Sequence, residues 1–184
     1  MKIPTASRIS DVMAGGQGLM RRKYLRQLAG EIITGLPREE FSNRAMNRGN
    51  EMEPELRRLY ALQTHNEPTP CGFAKRTLTT GFVGCSPDSL IGTDGVLEIK
   101  STIPELLIET WENGVTPAEH VPQCQCSMLV LGRQWCDLAI GYAGMPLFRR
   151  RIVRDSSAIR RMEIALELFN NDLAALVEKI RSYA

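Results

Sequence analysis

The sequence has no long hydrophobic run, and no stretch approaches the roughly eighteen apolar residues that a membrane-spanning helix requires. Its first residues lack the pattern of positive charge followed by an apolar segment that marks a secretory signal. It also contains no internal repeat and no low-complexity tract. We therefore expect a cytoplasmic protein and, because 184 residues suit one ordinary domain, a single domain over residues 1–184.

The sequence also lacks the cysteine spacing that is typical of a zinc site. The chain has five cysteines, with no CxxC pair and no histidine at zinc-ligand spacing. Reduced thiols in a cytosolic protein fit this pattern best. The close pair Cys124 and Cys126 is expected to belong to the hydrophobic core.

A strong excess of either charge is absent, because 23 basic residues face 21 acidic ones. The net charge of +2 does not by itself predict nucleic-acid binding. The basic residues do cluster, and each cluster is either a phosphate-binding patch or an ordinary solvated surface. The clusters lie at residues 21–23, 57–58, 149–151 with 154, and 160–161.

The order of predicted elements indicates a mixed α/β domain, with a central sheet flanked by helices. Helices are predicted after a cap at residues 5–7, over 21–34, from a cap at Ser42 to Leu62, over 104–114, over 120–131 and over 156–183. Pro54 either kinks the third helix or starts a new one. Residues 71–102 are predicted to form an antiparallel meander, and 135–154 two strands around a turn at 144–146.

The segment "CSPDSLIGTDGVLEIKST" at residues 85–102 combines charged residues with a turn. Side chains alternate along a strand, so Glu98 and Lys100 share one face, and the turn allows Asp88 to approach Glu98. Two neighbouring carboxylates repel each other unless a positive charge lies between them, and oxygen ligands suit Mg²⁺ or Mn²⁺. The alternative is a solvent-exposed hairpin with a cross-strand acid and an ordinary Glu/Lys pair.

Four motifs extend this pattern. They are "TAS" at 5–7, "RGNEMEPE" at 48–55, "SPDSL" at 86–90 with "LEIK" at 97–100, and "QCQCSM" at 123–128. The third resembles the PD-(D/E)xK nuclease signature, and all four in this order are similar to the phage lambda exonuclease and YqaJ-type viral recombinase family. The resemblance implies a restriction-endonuclease-like core with a mixed central sheet flanked by helices.

The resemblance also implies residue roles. Asp88 and Glu98 would bind the metal together with the backbone carbonyl of Ile99, while Lys100 would hold the attacking water or the scissile phosphate. Glu53 would support the metal through water, Gln123 would orient the site, and Ser7 would contact a terminal 5′-phosphate. Glu51 and Glu55 are weaker alternatives to Glu53, and Gln125 has a weaker claim than Gln123. Related enzymes carry an arginine before the TAS motif, so either another basic residue, such as Lys2, Arg8 or one of the 21–23 cluster, binds the phosphate, or this feature differs.

The implied activity is a Mg²⁺-dependent 5′-to-3′ exonuclease, with one or two ions per site, that leaves 3′ single-stranded overhangs on duplex DNA for recombination. Mn²⁺ is expected to substitute. The implied partners are DNA ends, a ring-shaped homotrimer of the chain itself and a single-strand annealing protein, in the cytosol of a bacterial host that carries the phage or prophage. Alternatives are a structure-specific endonuclease of the same fold and a catalytically silent DNA-binding module. No membrane partner is expected.

Overall fold

A four-stranded sheet lies at the centre of the protein in the computed structural model, which describes residues 2–14, 18–37 and 44–183, with the backbone alone for 44–50. The strands are β3 (Ser89–Ile91), β4 (Gly95–Ser101), β5 (Trp135–Gly141) and β6 (Phe148–Val153), side by side in that order. β4 and β5 run parallel, whereas the β3–β4 and β5–β6 pairs are antiparallel. The predicted mixed central sheet is confirmed.

Helices cover this sheet and extend the fold beyond it. The described helices are α1 (Ile9–Met13), α2 (Leu19–Thr34), α3 (Arg44–Thr64), α4 (Pro104–Asn113), α5 (Val121–Leu131) and α6 (Ser156–Arg181), with 3₁₀ turns at Ala6–Arg8 and Ala118–His120. Pro54 lies inside one continuous helix α3. The predicted cap at Ser42 lies outside the described residues. Among the helices described, none is long and apolar enough to cross a bilayer.

The two faces of the sheet carry different helices. Because side chains alternate in β4, Val96 faces one side and packs in a cluster with Cys124 and Met128 of α5. Leu97 and Ile99 face the other side and pack in a cluster with residues of α3. Strand β4 is thus packed between two helices, and Glu98 on its α5 face is buried, whereas Lys100 nearer the end of the strand is partly exposed.

The predicted meander over 71–102 is wrong, because its strands belong to two sheets. β1 (Ala74–Leu78) and β2 (Gly81–Cys85) form a separate antiparallel hairpin that does not pair with β3. Pro87 interrupts the chain between β2 and β3, and proline cannot donate to a strand ladder. The N-terminal segment also occupies part of β2, since the N–H of Gly84 donates to the carbonyl of Pro4 at 2.9 Å.

A second core joins this hairpin to α1, α2, α6 and the outer side of α5. Helix α6 begins at a true cap, where the Asp155 carboxylate accepts hydrogen bonds from the N–H groups of Ser157 and Ala158. Its apolar stripe buries Ile159, Met162, Leu166, Phe169, Leu173 and Val177. Helix α5 therefore lies between two cores and is held firmly beside β4.

Candidate active site

The β3–β4 hairpin brings Asp88 and Glu98 together. The antiparallel register pairs Ser89 with Leu97, so Asp88, just before β3, lies beside Glu98 in β4. The Asp88 carboxylate accepts a hydrogen bond from the N–H of Ile99. Glu98 is only 1% exposed. The solvent-exposed hairpin is therefore wrong for this residue, since α5 covers its face of the sheet.

Helix α5 supplies two partners to Glu98 and one to Lys100. The side-chain amide of Gln123 donates to Glu98 Oε2 at 2.8 Å, and the Ser127 hydroxyl donates to Glu98 Oε1 at 2.8 Å. Lys100 Nζ donates to Gln123 Oε1 at 3.1 Å and lies 3.7 Å from Glu98 Oε2. Gln123 thus connects the glutamate to the lysine, and the sequence prediction that these residues meet agrees with the geometry.

The two carboxyl groups are held in an environment that disfavours their charge. Burial raises the pKa of Glu98 to about 7, with a further upward contribution from Asp88, against the lowering effects of Lys100 and the Ser127 hydroxyl. Burial also raises the pKa of Asp88, and the charge of Glu53 adds to it, while the N–H of Ile99 lowers it. The pair therefore lacks full charge compensation from the protein.

Helix α3 brings Glu53 to the same region. Glu53 forms an ion pair with Arg57 one turn later. The Arg57 guanidinium also donates to the backbone carbonyl of Asp88 at 3.1 Å and to the Ser89 hydroxyl at 2.9 Å. Arg57 therefore joins the upstream acid to the strand that carries Asp88. By contrast, Glu51 and Glu55 are exposed on the helix.

Ser7 lines a small cavity that Glu98 and Gln123 also line. The cavity has a volume of about 100 Å³ and is bordered by Thr5, Ala6, Ser7, Phe73, Cys85, Ser86, Glu98, Gln123 and Ser127. The TAS segment is fixed by the Pro4–Gly84 hydrogen bond and by the Tyr24 hydroxyl, which accepts from the N–H of Thr5 at 3.2 Å. The exposed Ser7 is thus held at a cavity whose wall includes Glu98.

The basic residues that the sequence offers as ligands of a terminal 5′-phosphate make different contacts. Arg8 forms an ion pair with Asp11 and stacks over the Tyr24 ring. Arg21 pairs with Asp172 at 2.8 Å. Lys2 borders another cavity, between the N-terminal segment and α6. None of these contacts identifies the phosphate ligand.

Gln125 and the close cysteines serve the packing of α5. Gln125 donates to the carbonyl of Val153 at 2.8 Å and accepts from the N–H of Asp155 at 3.0 Å, so it fixes the start of α6 and faces away from Glu98. Cys124 and Cys126 are fully buried, in separate cores. The expectation of core cysteines is confirmed.

The sequence did not predict a site role for two residues of this cluster, Ser127 and Arg57. Ser127 lies four residues after Gln123, and Arg57 four residues after Glu53, so each shares a helix face with a motif residue. That spacing was the available signal. It was not sufficient, because serine and arginine occur at such positions on many helices without contacting a site.

The donor set fits a small hard cation. The part of the chain that is described contains no group of three or more His, Cys, Asp or Glu side chains arranged for a metal. Mg²⁺, however, typically uses only one or two protein carboxylates and keeps several waters. Asp88 and Glu98 supply two, and burial raises the pKa of both, so a bound cation would stabilise their charged forms.

A mixed sheet flanked by helices, with an acid before β3 and an ExK triplet in β4, defines a PD-(D/E)xK-type nuclease fold. The chain belongs to the family of the YqaJ-like viral recombinase domain, whose profile matches residues 1–134.

Solved structures agree with this assignment. An alkaline exonuclease from Laribacter hongkongensis, LHK-Exo, is 33% identical, with a TM-score of 0.89 over 99% of this chain and 93% of the other. LHK-Exo in complex with dAMP gives 34% identity and a TM-score of 0.90 over the same shares. A phage-related exonuclease from Haemophilus somnus shares the fold at 12% identity, with a TM-score of 0.74 over 97% of this chain and 96% of the other. No curated protein matches the chain.

Proposed function

We propose that the protein is a Mg²⁺-dependent exonuclease that degrades one strand of linear duplex DNA from its 5′ end and leaves 3′ overhangs for recombination. The observation that carries the proposal is the contact of Asp88, Glu98, Lys100 and Gln123 in one cluster beside Ser7. Family membership and the likeness to alkaline exonucleases support a nuclease that acts on DNA.

Each residue of the cluster would have its own role in phosphodiester hydrolysis. Asp88, Glu98 and the carbonyl of Ile99 would hold the cation, and Glu53 would support it through water. A bound Mg²⁺, or Mn²⁺ in its place, supplies positive charge for the attacking and leaving oxygens, and a two-ion site supplies it to both at once. Lys100, held by the Gln123 carbonyl oxygen, would position the attacking water or the scissile phosphate. Ser7 would receive the terminal 5′-phosphate.

The direct test is a cleavage assay on linear duplex DNA with a labelled 5′ end. We expect cleavage with Mg²⁺, none with EDTA, and a loss of about 100-fold or more in Asp88→Asn, because the substitution removes a metal-binding charge. Asp94→Asn is the matched control, since Asp94 is an exposed acid in the turn of the same hairpin. Near wild-type cleavage by Asp88→Asn at saturating Mg²⁺ would refute the proposed site.

The same assay separates the alternatives. A covalently closed circular duplex resists an exonuclease and is cut by an endonuclease. A silent DNA-binding module would bind the linear duplex and leave it intact at every Mg²⁺ concentration. A ladder of progressively shorter fragments that keep the 5′ label would show digestion from the 3′ end and would contradict the proposed direction.

The proposal includes three further expectations that rest on the family resemblance. The chain is expected to form a ring-shaped homotrimer, so sedimentation should give a mass of three times 20.6 kDa. It is expected to work in the bacterial cytosol with a single-strand annealing protein. A monomer at micromolar concentration, or no association with an annealing protein encoded beside it, would contradict them.

A further inference from the structure

Phe73 is an exposed aromatic residue at the candidate active site. It lies directly before β1, is 44% exposed, and borders the cavity that Ser7, Glu98 and Gln123 also line. It is the one aromatic residue among the described residues that border this cavity. The Phe73 ring is thus partly exposed to solvent beside two catalytic candidates, Glu98 and Gln123.

Gly84 leaves the space that the Phe73 ring occupies. A methyl group at Gly84 would collide with the Cζ end of the Phe73 ring, so only glycine allows the ring to lie there. The N–H of Gly84 donates to Pro4 at 2.9 Å and thereby anchors the segment that carries Ser7. One backbone position therefore fixes both the aromatic ring and the TAS segment, and their separation is set by the fold.

The cavity is smaller than a nucleotide. Its volume is about 100 Å³, so a phosphate group can enter it, whereas the sugar and the base of the reacting nucleotide must lie outside it. Phe73 borders the same cavity and is 44% exposed, so its ring is accessible to a planar base beside the phosphate.

We propose that Phe73 is a nucleobase platform that stacks on the base of the nucleotide whose phosphate is cleaved. This inference rests on the proposed nuclease function. Aromatic rings stack on any of the four bases, because every base has a π-face. The platform would therefore hold the terminal nucleotide without sequence preference, as an enzyme that travels along DNA requires.

A wider cleft of about 510 Å³, which Lys100 borders, is the competing position for the base. Its border includes Glu109 and Glu119 together with Lys100, and none of the residues that line it is a Phe, Tyr or Trp on which a base could stack. Phe73 supplies such a ring and borders the cavity that Ser7 also lines. The geometry therefore favours Phe73 as the place where the base stacks, and cleavage of an abasic duplex separates the two positions.

The test measures coupling between Phe73 and the terminal base. Single-turnover cleavage is compared for two linear duplexes, one with an ordinary 5′-terminal nucleotide and one abasic at that nucleotide, in wild type and Phe73→Ala. Removal of either stacking partner should reduce cleavage or binding about 5- to 100-fold, the range that base–aromatic stacking gives. Removal of both should cost little more than removal of one.

Two outcomes overturn the platform. Either wild type cleaves the two duplexes equally, or the abasic penalty persists in full in Phe73→Ala, which would place the base elsewhere, such as in the cleft beside Lys100. Failure of wild type on the ordinary duplex would instead refute the nuclease proposal. The two failures are thus distinguishable.

Matched variants separate stacking from packing. Phe73→Leu keeps apolar bulk without a ring and should behave like Phe73→Ala, whereas Phe73→Trp should retain the discrimination. Phe82→Ala is the control, because Phe82 is a 39% exposed phenylalanine of the same hairpin that borders the cavity near α6. It should leave the abasic penalty unchanged. Equal behaviour of the leucine variant and wild type would show that Phe73 is a hydrophobic cover only.

Discussion

At the scale of single residues, Arg57 shows how one side chain can organise a site. Its guanidinium contacts the Glu53 carboxylate, the Asp88 carbonyl and the Ser89 hydroxyl. Its charge also lowers the pKa of Asp88, against the raising effects of burial and of Glu53. The planar fork of arginine suits such multiple contacts better than the single ammonium of lysine.

We predict that Arg57→Ala raises the pKa of Asp88 further and weakens Mg²⁺ binding, since the side chain that holds Glu53, the Asp88 carbonyl and the Ser89 hydroxyl together is lost. Arg57→Lys should fall between this variant and wild type. Arg58→Ala, at the exposed neighbouring position, is the control. Mg²⁺ titration of the free protein by calorimetry measures the effect, and an unchanged dissociation constant in Arg57→Ala would contradict it.

Ser127 offers a second test at this scale. Its hydroxyl lowers the pKa of Glu98 by donating to the charged form. Ser127→Ala should therefore shift the acidic limb of the cleavage–pH profile to higher pH, because Glu98 then ionises later. Ser10→Ala, on the exposed side of α1, should leave the limb in place. A loss of rate that is equal at all pH values would show a packing defect instead.

At the scale of elements, the position of α3 depends on a buried polar contact. The Tyr60 hydroxyl donates to the fully buried Asp137 of β5 at 2.8 Å, and Arg151 of β6 donates to the same carboxylate at 2.8 Å. Burial and Asp137 raise the pKa of Tyr60 to about 12. Because Glu53 and Tyr60 lie on the same helix, this contact helps to hold the upstream acid above the sheet.

Tyr60→Phe should lower the free energy of unfolding by about 1–3 kcal/mol, since it deprives a buried acceptor of one donor. Urea denaturation measures the change. Tyr183→Phe is the control, because Tyr183 is 73% exposed. A difference below about 0.5 kcal/mol between the two variants would mean that the Tyr60 hydrogen bond does not anchor α3.

At the scale of the whole molecule, the buried carboxylates couple metal binding to stability. The pKa of Glu98 in the folded protein, about 7, lies above its ordinary value. The stability that this group contributes is therefore complete below its ordinary pKa and is lost as pH rises through about 7. A cation that binds the ionised form reverses the loss, so the effect of Mg²⁺ should grow with pH.

We accordingly predict that the melting temperature without metal falls between pH 5 and pH 8 through this contribution, and that Mg²⁺ raises it more at pH 8 than at pH 6. Thermal unfolding with and without Mg²⁺ measures both effects. Asp88→Asn should remove most of the Mg²⁺ effect, while Asp94→Asn should keep it. An equal Mg²⁺ effect at both pH values would contradict the proposed coupling.

Much of the fold followed from local patterns. The helices at 21–34, 104–114, 120–131 and 156–183 and the strands of 135–154 are confirmed to within a few residues at their ends, because apolar spacing, caps and glycines act locally. The meander over 71–102 failed for a non-local reason. Alternation identifies a strand, but it does not identify the strand's partner, and β2 pairs with β1 and with the N-terminal segment instead of β3.

The positions of Glu98 and Lys100 on one face, and the turn that brings Asp88 towards them, are readable from the sequence. Strand alternation and hairpin geometry depend only on neighbours along the chain. The burial of Glu98 by α5, its contact with Gln123 instead of Gln125, and the link that Arg57 makes between Glu53 and Asp88 are visible only in the folded protein. Such contacts join residues far apart in sequence. Burial by those distant elements raises the pKa values of both acids and makes the pair suited to a cation.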